Sequence, residues 1–197
     1  MRRPTFAVVT ALIALLMLGA QAVPAAAATT AFGAKITTST QPQPFPEKCA
    51  DQPGSGSQCT WVAVQAFENG GHQAAPKPGT IHKLKLVTCV AGSFTLQIAK
   101  PASGGKYKVV RNGPSISYPA DPSGANCGDA TTFKIRTFNV SVHVNKGELL
   151  AVRASKVGFV HCSSSGDSQI FRPALVSGGT ARTPQNGGCG LLLRAIY

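Results

Sequence analysis

The feature that most constrains this chain is a succession of short apolar runs separated by turn residues. Apolar and polar residues alternate in Phe94–Ile98 and in Val140–Val144, a pattern typical of strands with one buried face. No window of eleven or more residues carries the apolar stripe of an amphipathic helix. The runs predict nine to eleven strands, at Cys59–Phe67, Ile81–Val90, Phe94–Lys100, Lys106–Arg111, Ser115–Tyr118, Thr132–Phe138, Val140–Val144, Leu149–Ala154, Val157–Cys162, Ile170–Ala174 and Leu191–Tyr197.

Short strands without intervening helices predict an all-β fold, namely an antiparallel two-sheet β-sandwich. A jelly roll is one topology that fits this prediction. Neither the spacing nor the content of the strands repeats, which argues against a propeller or a solenoid. The composition agrees with a globular fold, since 43% of the residues are hydrophobic. Only 13% are charged, too few for a long helical bundle.

The N-terminal 28 residues have the organisation of a secretory signal. Met1-Arg2-Arg3 precedes the apolar run Phe6–Ala20, and the small residues Ala25–Ala28 follow. The apolar run is shorter than the roughly 20 residues that a membrane-spanning helix needs. We expect cleavage after Ala28, a secreted extracellular protein and no integral membrane segment in the mature chain.

Residues 29–58 are rich in Pro, Gly, Ser and Thr, as in Gln41–Pro46 and Pro53–Ser57. Such a composition is typical of linkers, extended where proline dominates and flexible where Gly and Ser do. We therefore predict an irregular, linker-like N-terminal segment at 29–58 and a β-sandwich domain at 59–197.

Six cysteines lie beyond the predicted signal, and an even number in an exported chain indicates three disulfides. Six cysteines allow fifteen connectivities, of which we predict pairing in chain order, because each such pair brackets a Gly- or Pro-rich segment. No two cysteines have the spacing of a zinc site, and the four histidines are scattered, so we expect no metal and no cofactor. The predicted pairs are Cys49 with Cys59, Cys89 with Cys127, and Cys162 with Cys189.

The chain is strongly basic, with 19 Lys and Arg against seven Asp and Glu. Without Arg2 and Arg3 of the predicted signal, the net charge is +10. No acidic residue lies between Glu68 and Asp121, whereas seven basic residues do. A concentrated excess of positive charge attracts anionic polymers in a salt-dependent way.

Two predicted strands in this stretch have basic faces. Alternation places Lys83 and Lys85 on one face of their strand, and Lys106 and Lys108 on one face of theirs. If both strands lie in one sheet, the four lysines and Arg111 form one basic patch, which is the predicted binding site. The alternative is a solvated face that keeps the protein soluble and blocks edge pairing.

No catalytic constellation is visible in the sequence. His161 and Ser168 lack the order and the flanking glycines of chymotrypsin-like proteases, and no Gly-x-Ser-x-Gly elbow occurs. The spacing of the seven acids proposes no pair for glycoside hydrolysis. We therefore predict a non-enzymatic secreted protein that binds anionic polysaccharide or cell-wall polymer, with nucleic acid a less favoured partner.

Two alternative functions stay open at this point. An extracellular hydrolase would need catalytic residues that converge only in the fold. A secreted protease inhibitor would need an exposed loop braced by a disulfide, and the loops between Cys49 and Cys59 and between Cys162 and Cys189 are the places for it.

From Cys59 onward, several motifs follow one another in a particular order: Pro76–Ile81, Phe94–Ile98, Gly104–Tyr107, Phe133–Val144, Lys146–Val152 and Cys189–Leu193. This order resembles a family of secreted, uncharacterised β-sandwich domains that is common in actinobacteria. The resemblance implies a fold and an extracellular location, and it carries no catalytic residue.

Overall fold

The computed structural model describes residues 30–65, 72–122, 127, 131–162 and 167–197. Within these residues the chain forms strands and one short 3-10 helix at Cys49–Asp51, which confirms the all-β fold class. The first seven strands are β1 Ala31–Gly33, β2 Glu47–Lys48, β3 Cys59–Ala63, β4 Gly79–Leu86, β5 Gly92–Ala102, β6 Lys106–Tyr118 and β7 Arg136–Val144. The others are β8 Leu149–Ala154, β9 Lys156–Val157, β10 Val160–His161, β11 Ser168–Phe171, β12 Asn186–Gly188, β13 Gly190–Leu191 and β14 Leu193–Ile196.

The strands form two antiparallel sheets that face each other. A four-stranded sheet has the order β1-β14-β4-β7, and a six-stranded sheet has the order β12-β11-β3-β8-β5-β6. The main core lies between them, with Leu84 of β4 and Leu193 of β14 buried in one cluster with Trp61, Leu96 and Val152 of the larger sheet. Two small ribbons, β2–β9 and β10–β13, complete the β-sandwich.

The six-stranded sheet is also covered on its outer face. Val62, Ala151 and Phe171 form a second apolar cluster there with Leu175, which belongs to the segment 172–185 that crosses this face. Hydrogen bonds fix the segment, since Thr60 Oγ1 donates to Gln97 Oε1 and accepts from the backbone N–H of Leu175. Beneath this segment, the central strands of the sheet are therefore buried on both faces.

The strands predicted at Lys106–Arg111 and Ser115–Tyr118 are one strand, so the predicted break between them is wrong. Asn112-Gly113-Pro114 lies inside β6, whose pairing with β5 shifts register at two places. Such bulges take up extra residues without breaking the strand, and they tolerate a proline that cannot donate to the ladder. In the same way, the two runs predicted around Asn139 form the single strand β7.

The N-terminal segment is irregular, but from residue 30 onward it packs into the sandwich. Strand β1 pairs with β14, and Phe32 is only 1% exposed. Gly33 has φ +93°, and a Cβ there would lie 2.4 Å from the carbonyl oxygen of Leu193, so the close approach of these strands requires glycine. The predicted signal peptide lies outside the described residues.

Three disulfides join Cys49 to Cys59, Cys89 to Cys127 and Cys162 to Cys189, the pairs expected from chain order. The first fastens the N-terminal segment to β3. Three structural disulfides indicate that the protein folds in an oxidising environment. No helix in the part of the chain that the structure describes is long and apolar enough to cross a membrane.

Candidate functional site

The structure separates the two halves of the predicted basic patch. Lys83 and Lys85 lie on β4 in the four-stranded sheet, whereas Lys106 and Lys108 lie on β6 at the edge of the six-stranded sheet. The condition for a single patch, that both strands belong to one sheet, is therefore not met. Instead, each lysine pair joins different basic neighbours.

The first basic surface lies on the outer side of the four-stranded sheet. Lys85 of β4 is directly opposite Arg194 of β14, and Lys83 lies two residues along the same face. Because the intervening Leu84 and Ala195 point into the core, these three cations point outward. We call Lys83, Lys85 and Arg194 the basic face.

Uncharged polar residues border the basic face on its other side. Lys83 is opposite Asn139 of β7, and Lys85 is opposite Thr137, and both β7 side chains are exposed. No described acidic residue forms an ion pair with any member of the basic face. The surface thus presents three unneutralised cations beside amide and hydroxyl groups that can donate and accept hydrogen bonds.

The second basic surface lies near the tip of the β5–β6 hairpin. Lys100 is directly opposite Lys108, and Lys106 lies two residues from Lys108 on the same face of the hairpin. All three side chains are exposed, and none pairs with an acid in the described part of the chain. We call Lys100, Lys106 and Lys108 the lysine arm.

Arg111 has a structural contact rather than a place on either surface. Its Nη1 donates to the carboxylate of Glu148 and to the carbonyl oxygen of His143 at 3.0 Å, and its Nη2 donates to Glu148 Oε1 at 3.3 Å. The Glu148 side chain is 5% exposed, so its charge needs this partner. We therefore do not include Arg111 in the candidate binding site, because its charge neutralises a buried carboxylate.

The pKa of Glu148 reflects this contact. Burial alone would raise the pKa, but hydrogen bonds from Arg111 and from the backbone and side chain of Asn145 outweigh burial and lower it. Burial raises the pKa of Glu47, opposed in part by the backbone N–H of Cys189 and by the nearby indole of Trp61. The contributions of these two carboxyl groups to the free energy of unfolding therefore depend on pH in opposite directions.

Three acidic side chains within the described residues are buried or hydrogen-bonded. Glu148 is occupied by Arg111, Glu47 is desolvated, and Asp121 accepts from the backbone N–H of Lys134 at 2.8 Å. Four surface clefts formed by described residues contain no carboxylate in their walls. Among the same residues, no group of three or more His, Cys, Asp or Glu side chains is arranged to hold a metal ion.

The loop between Cys49 and Cys59 is exposed and braced, as a protease inhibitor would require. Arg172 fixes it from inside, with hydrogen bonds from its guanidinium to the carbonyl oxygens of Ala50, Gln52 and Gly56. These carbonyls are therefore engaged within the protein. The loop between Cys162 and Cys189 lies partly outside the described residues.

Sequence reasoning missed two members of the basic surfaces, Arg194 and Lys100. Arg194 is the single charged residue in the apolar run Leu191–Tyr197, and that isolation was the only local sign that it points outward. Lys100 ends a predicted strand, but only the register shows that it lies opposite Lys108. A comparison of the chain with protein-family models, with curated proteins and with solved structures found no match.

Proposed function

We propose that this is a secreted, non-enzymatic protein that binds anionic polymers of the cell envelope or the extracellular space through the basic face. The N-terminal sequence features and the three disulfides support the extracellular setting. The polymer class is an acidic polysaccharide or a cell-wall polymer such as teichoic acid.

The observation that carries the proposal is the register of Lys85 with Arg194. Like charges directly opposite each other on neighbouring strands destabilise a sheet. An anion bound between them would remove this repulsion and gain two charge-assisted hydrogen bonds. The basic face therefore has a reason to bind anions, which it shares with the Lys100–Lys108 pair of the lysine arm, and the exposed Thr137 and Asn139 beside it distinguish it from that pair.

The spacing of the basic face suits a chain with repeating charges. Neighbouring strands lie about 5 Å apart, and alternate residues on one strand lie roughly 7 Å apart. Lys83, Lys85 and Arg194 can thus contact successive anionic groups of one polymer, while Thr137 and Asn139 contact its uncharged groups. The lysine arm has the same spacing of three cations, but it lies at the hairpin tip beyond the end of the β5–β8 pairing at Ala99, so it lacks the third strand that supplies Thr137 and Asn139 to the basic face.

The test compares two variants with the same loss of charge. We expect Lys83→Gln/Lys85→Gln/Arg194→Gln to weaken binding to immobilised polygalacturonate or teichoic acid on the order of 100-fold, since each basic residue near an anionic surface contributes about 1 kcal/mol. The control, Lys100→Gln/Lys106→Gln/Lys108→Gln, should retain most of the affinity.

Two results would contradict the proposal. Equal weakening in both variants would show that only the total charge attracts the polymer and that the basic face is a solubilising surface. Shortening of the polymer during incubation with the protein would overturn the non-enzymatic part and favour the hydrolase alternative.

A further inference from the structure

A second feature of the molecule lies on the opposite side of the sandwich. Arg153 of β8 points outward from the six-stranded sheet, at the shared wall of two surface clefts. One cleft has a volume of about 310 Å³ and the other about 170 Å³. The larger volume is at the lower end of the range for small-molecule sites, which is room for one or two sugar units.

The guanidinium of Arg153 is held in place but not neutralised. Its Nε donates to Gln58 Oε1 at 2.7 Å, and the Gln58 backbone carbonyl accepts from the N–H of Ala174 at 3.0 Å. No described residue accepts a hydrogen bond from Nη1 or Nη2 of Arg153. An oriented guanidinium with a free pair of terminal nitrogens matches the two oxygens of a carboxylate.

The smaller cleft supplies hydroxyl groups. Thr95 is directly opposite Arg153 on the neighbouring strand, and its Oγ1 lies 3.0 Å from Oγ of Ser115. Ser93 and Ser155 line the same cleft. Hydroxyls both donate and accept, so this wall complements the hydroxyl groups of a saccharide.

The larger cleft supplies an apolar wall on the other side of Arg153. Pro173, Ala174 and Val176 line it, and Val176 is 68% exposed. Within the described residues, Phe45 is the one other large hydrophobic side chain with comparable exposure. Because ligand sites combine apolar walls with a few polar groups, this wall suits the C–H face of a sugar ring.

We propose that Arg153 binds the carboxylate of a uronic-acid residue, whose hydroxyls and ring face contact the serine and threonine wall and the Val176 wall. This inference rests on the proposed function for the class of polymer, an acidic polysaccharide. It adds the sugar residue that the two clefts would recognise. A single guanidinium with no lysine in either cleft wall matches one monoanionic, planar group. The lysine-containing basic face, in contrast, does not distinguish carboxylate from phosphate.

The test uses short ligands, which cannot reach the basic face and the clefts together. We expect a trisaccharide of galacturonic acid to shift the NMR signals of Arg153 Nε and of the backbone amides of Thr95 and Ser115 at about 0.15 M salt. The neutral galactose trisaccharide should not do so. Arg153→Lys keeps the charge but loses the paired donors, so it should weaken binding at least tenfold, and Gln58→Ala should weaken it less.

Controls separate this inference from the proposed function. Lys146→Gln, at an exposed lysine outside both the clefts and the basic face, should leave the trisaccharide-induced shift of Arg153 Nε unchanged, while Arg153→Lys should retain the thermal unfolding midpoint because its side chain is exposed. Unchanged binding in Arg153→Lys, equal binding of the neutral trisaccharide, tighter binding of a glycerol-phosphate trimer, or no binding at all would overturn the assignment. Each of these results would leave the polymer test of the basic face unaffected.

Discussion

The two sheets of the sandwich differ in what lies against their outer faces. The segment 172–185 covers part of the six-stranded sheet, and its Leu175 packs with Phe171 and Val62 of the sheet in a buried apolar layer. The four-stranded sheet instead exposes polar and basic side chains, with Lys83 and Asn139 in the same row. The covered part of the six-stranded sheet is therefore buried on both faces, whereas the outer face of the four-stranded sheet is exposed to solvent.

The burial patterns of individual strands show the same difference. The five residues of β3, Cys59–Ala63, are all buried, as expected for a strand covered on both faces. In β7, Arg136–Val144, exposed residues alternate with more buried ones, as expected for a strand with one open face. Substitutions beneath the segment 172–185 should therefore have large effects on stability. Substitutions on the open face, or at Arg153 where the six-stranded sheet is uncovered, should instead affect binding.

The largest effect on stability is expected from Phe171→Ala on the covered face. Phe171 is fully buried, and its ring centroid lies 6.0 Å from that of Tyr107. We expect the free energy of unfolding in urea to fall by about 3–5 kcal/mol, because the residue's contacts are lost and a cavity remains.

The matched change on the open face is Thr137→Ala, which should alter stability by less than about 0.5 kcal/mol. If Phe171→Ala cost as little as Thr137→Ala, the outer cluster would not be packed, and the contrast between the faces would fail.

An intermediate effect is expected at the link between the sheets. Arg111 of β6 contacts His143 of β7 and Glu148, so it joins the edges of the two sheets. The pKa of Glu148 is lowered, so its stabilising contribution is present above the ordinary value of 4.5 and is lost as the pH falls through the folded-state pKa. Glu148→Gln should cost about 1–3 kcal/mol at neutral pH and almost nothing in strong acid.

Glu47→Gln is a control for which we expect the opposite pH dependence of stability. The pKa of Glu47 is raised by burial, so its contribution is present below 4.5 and is lost as the pH rises through the higher folded-state pKa. The free energy of unfolding of Glu47→Gln, relative to that of the unmodified protein, should therefore increase as the pH rises. Parallel pH profiles for the two variants, measured by urea unfolding, would contradict these assignments.

Local patterns predicted much of the fold. Strand β8 has the predicted bounds, Leu149–Ala154, because an apolar run with one charged residue, followed and preceded by polar residues, is typical of a short strand. The bulges in β6 were missed because Asn112-Gly113-Pro114 has the same residue chemistry as a turn. The assignment of β4 and β6 to different sheets was also beyond local patterns, since sheet membership depends on pairing between distant parts of the chain.

The candidate sites show the same limit. Alternation within a strand placed Lys83 with Lys85, but only the pairing of β14 with β4 brings Arg194 beside them. Gln58, Thr95 and Arg153 come from three strands or their ends, and no spacing in the sequence relates them. Residues that share a strand face can be predicted from sequence, whereas residues that share a sheet face require the register.

The most direct test of the account is Arg194→Glu on the basic face, with stability and polymer binding measured on the same sample. We predict that the free energy of unfolding rises by about 0.2–1 kcal/mol, because an attractive cross-strand pair with Lys85 replaces a repulsive one. Affinity for polygalacturonate should fall at least tenfold. The control Lys108→Glu makes the same change opposite Lys100 on the lysine arm and should retain most of the affinity. Full polymer binding by Arg194→Glu would contradict the central claim that the basic face holds the polymer.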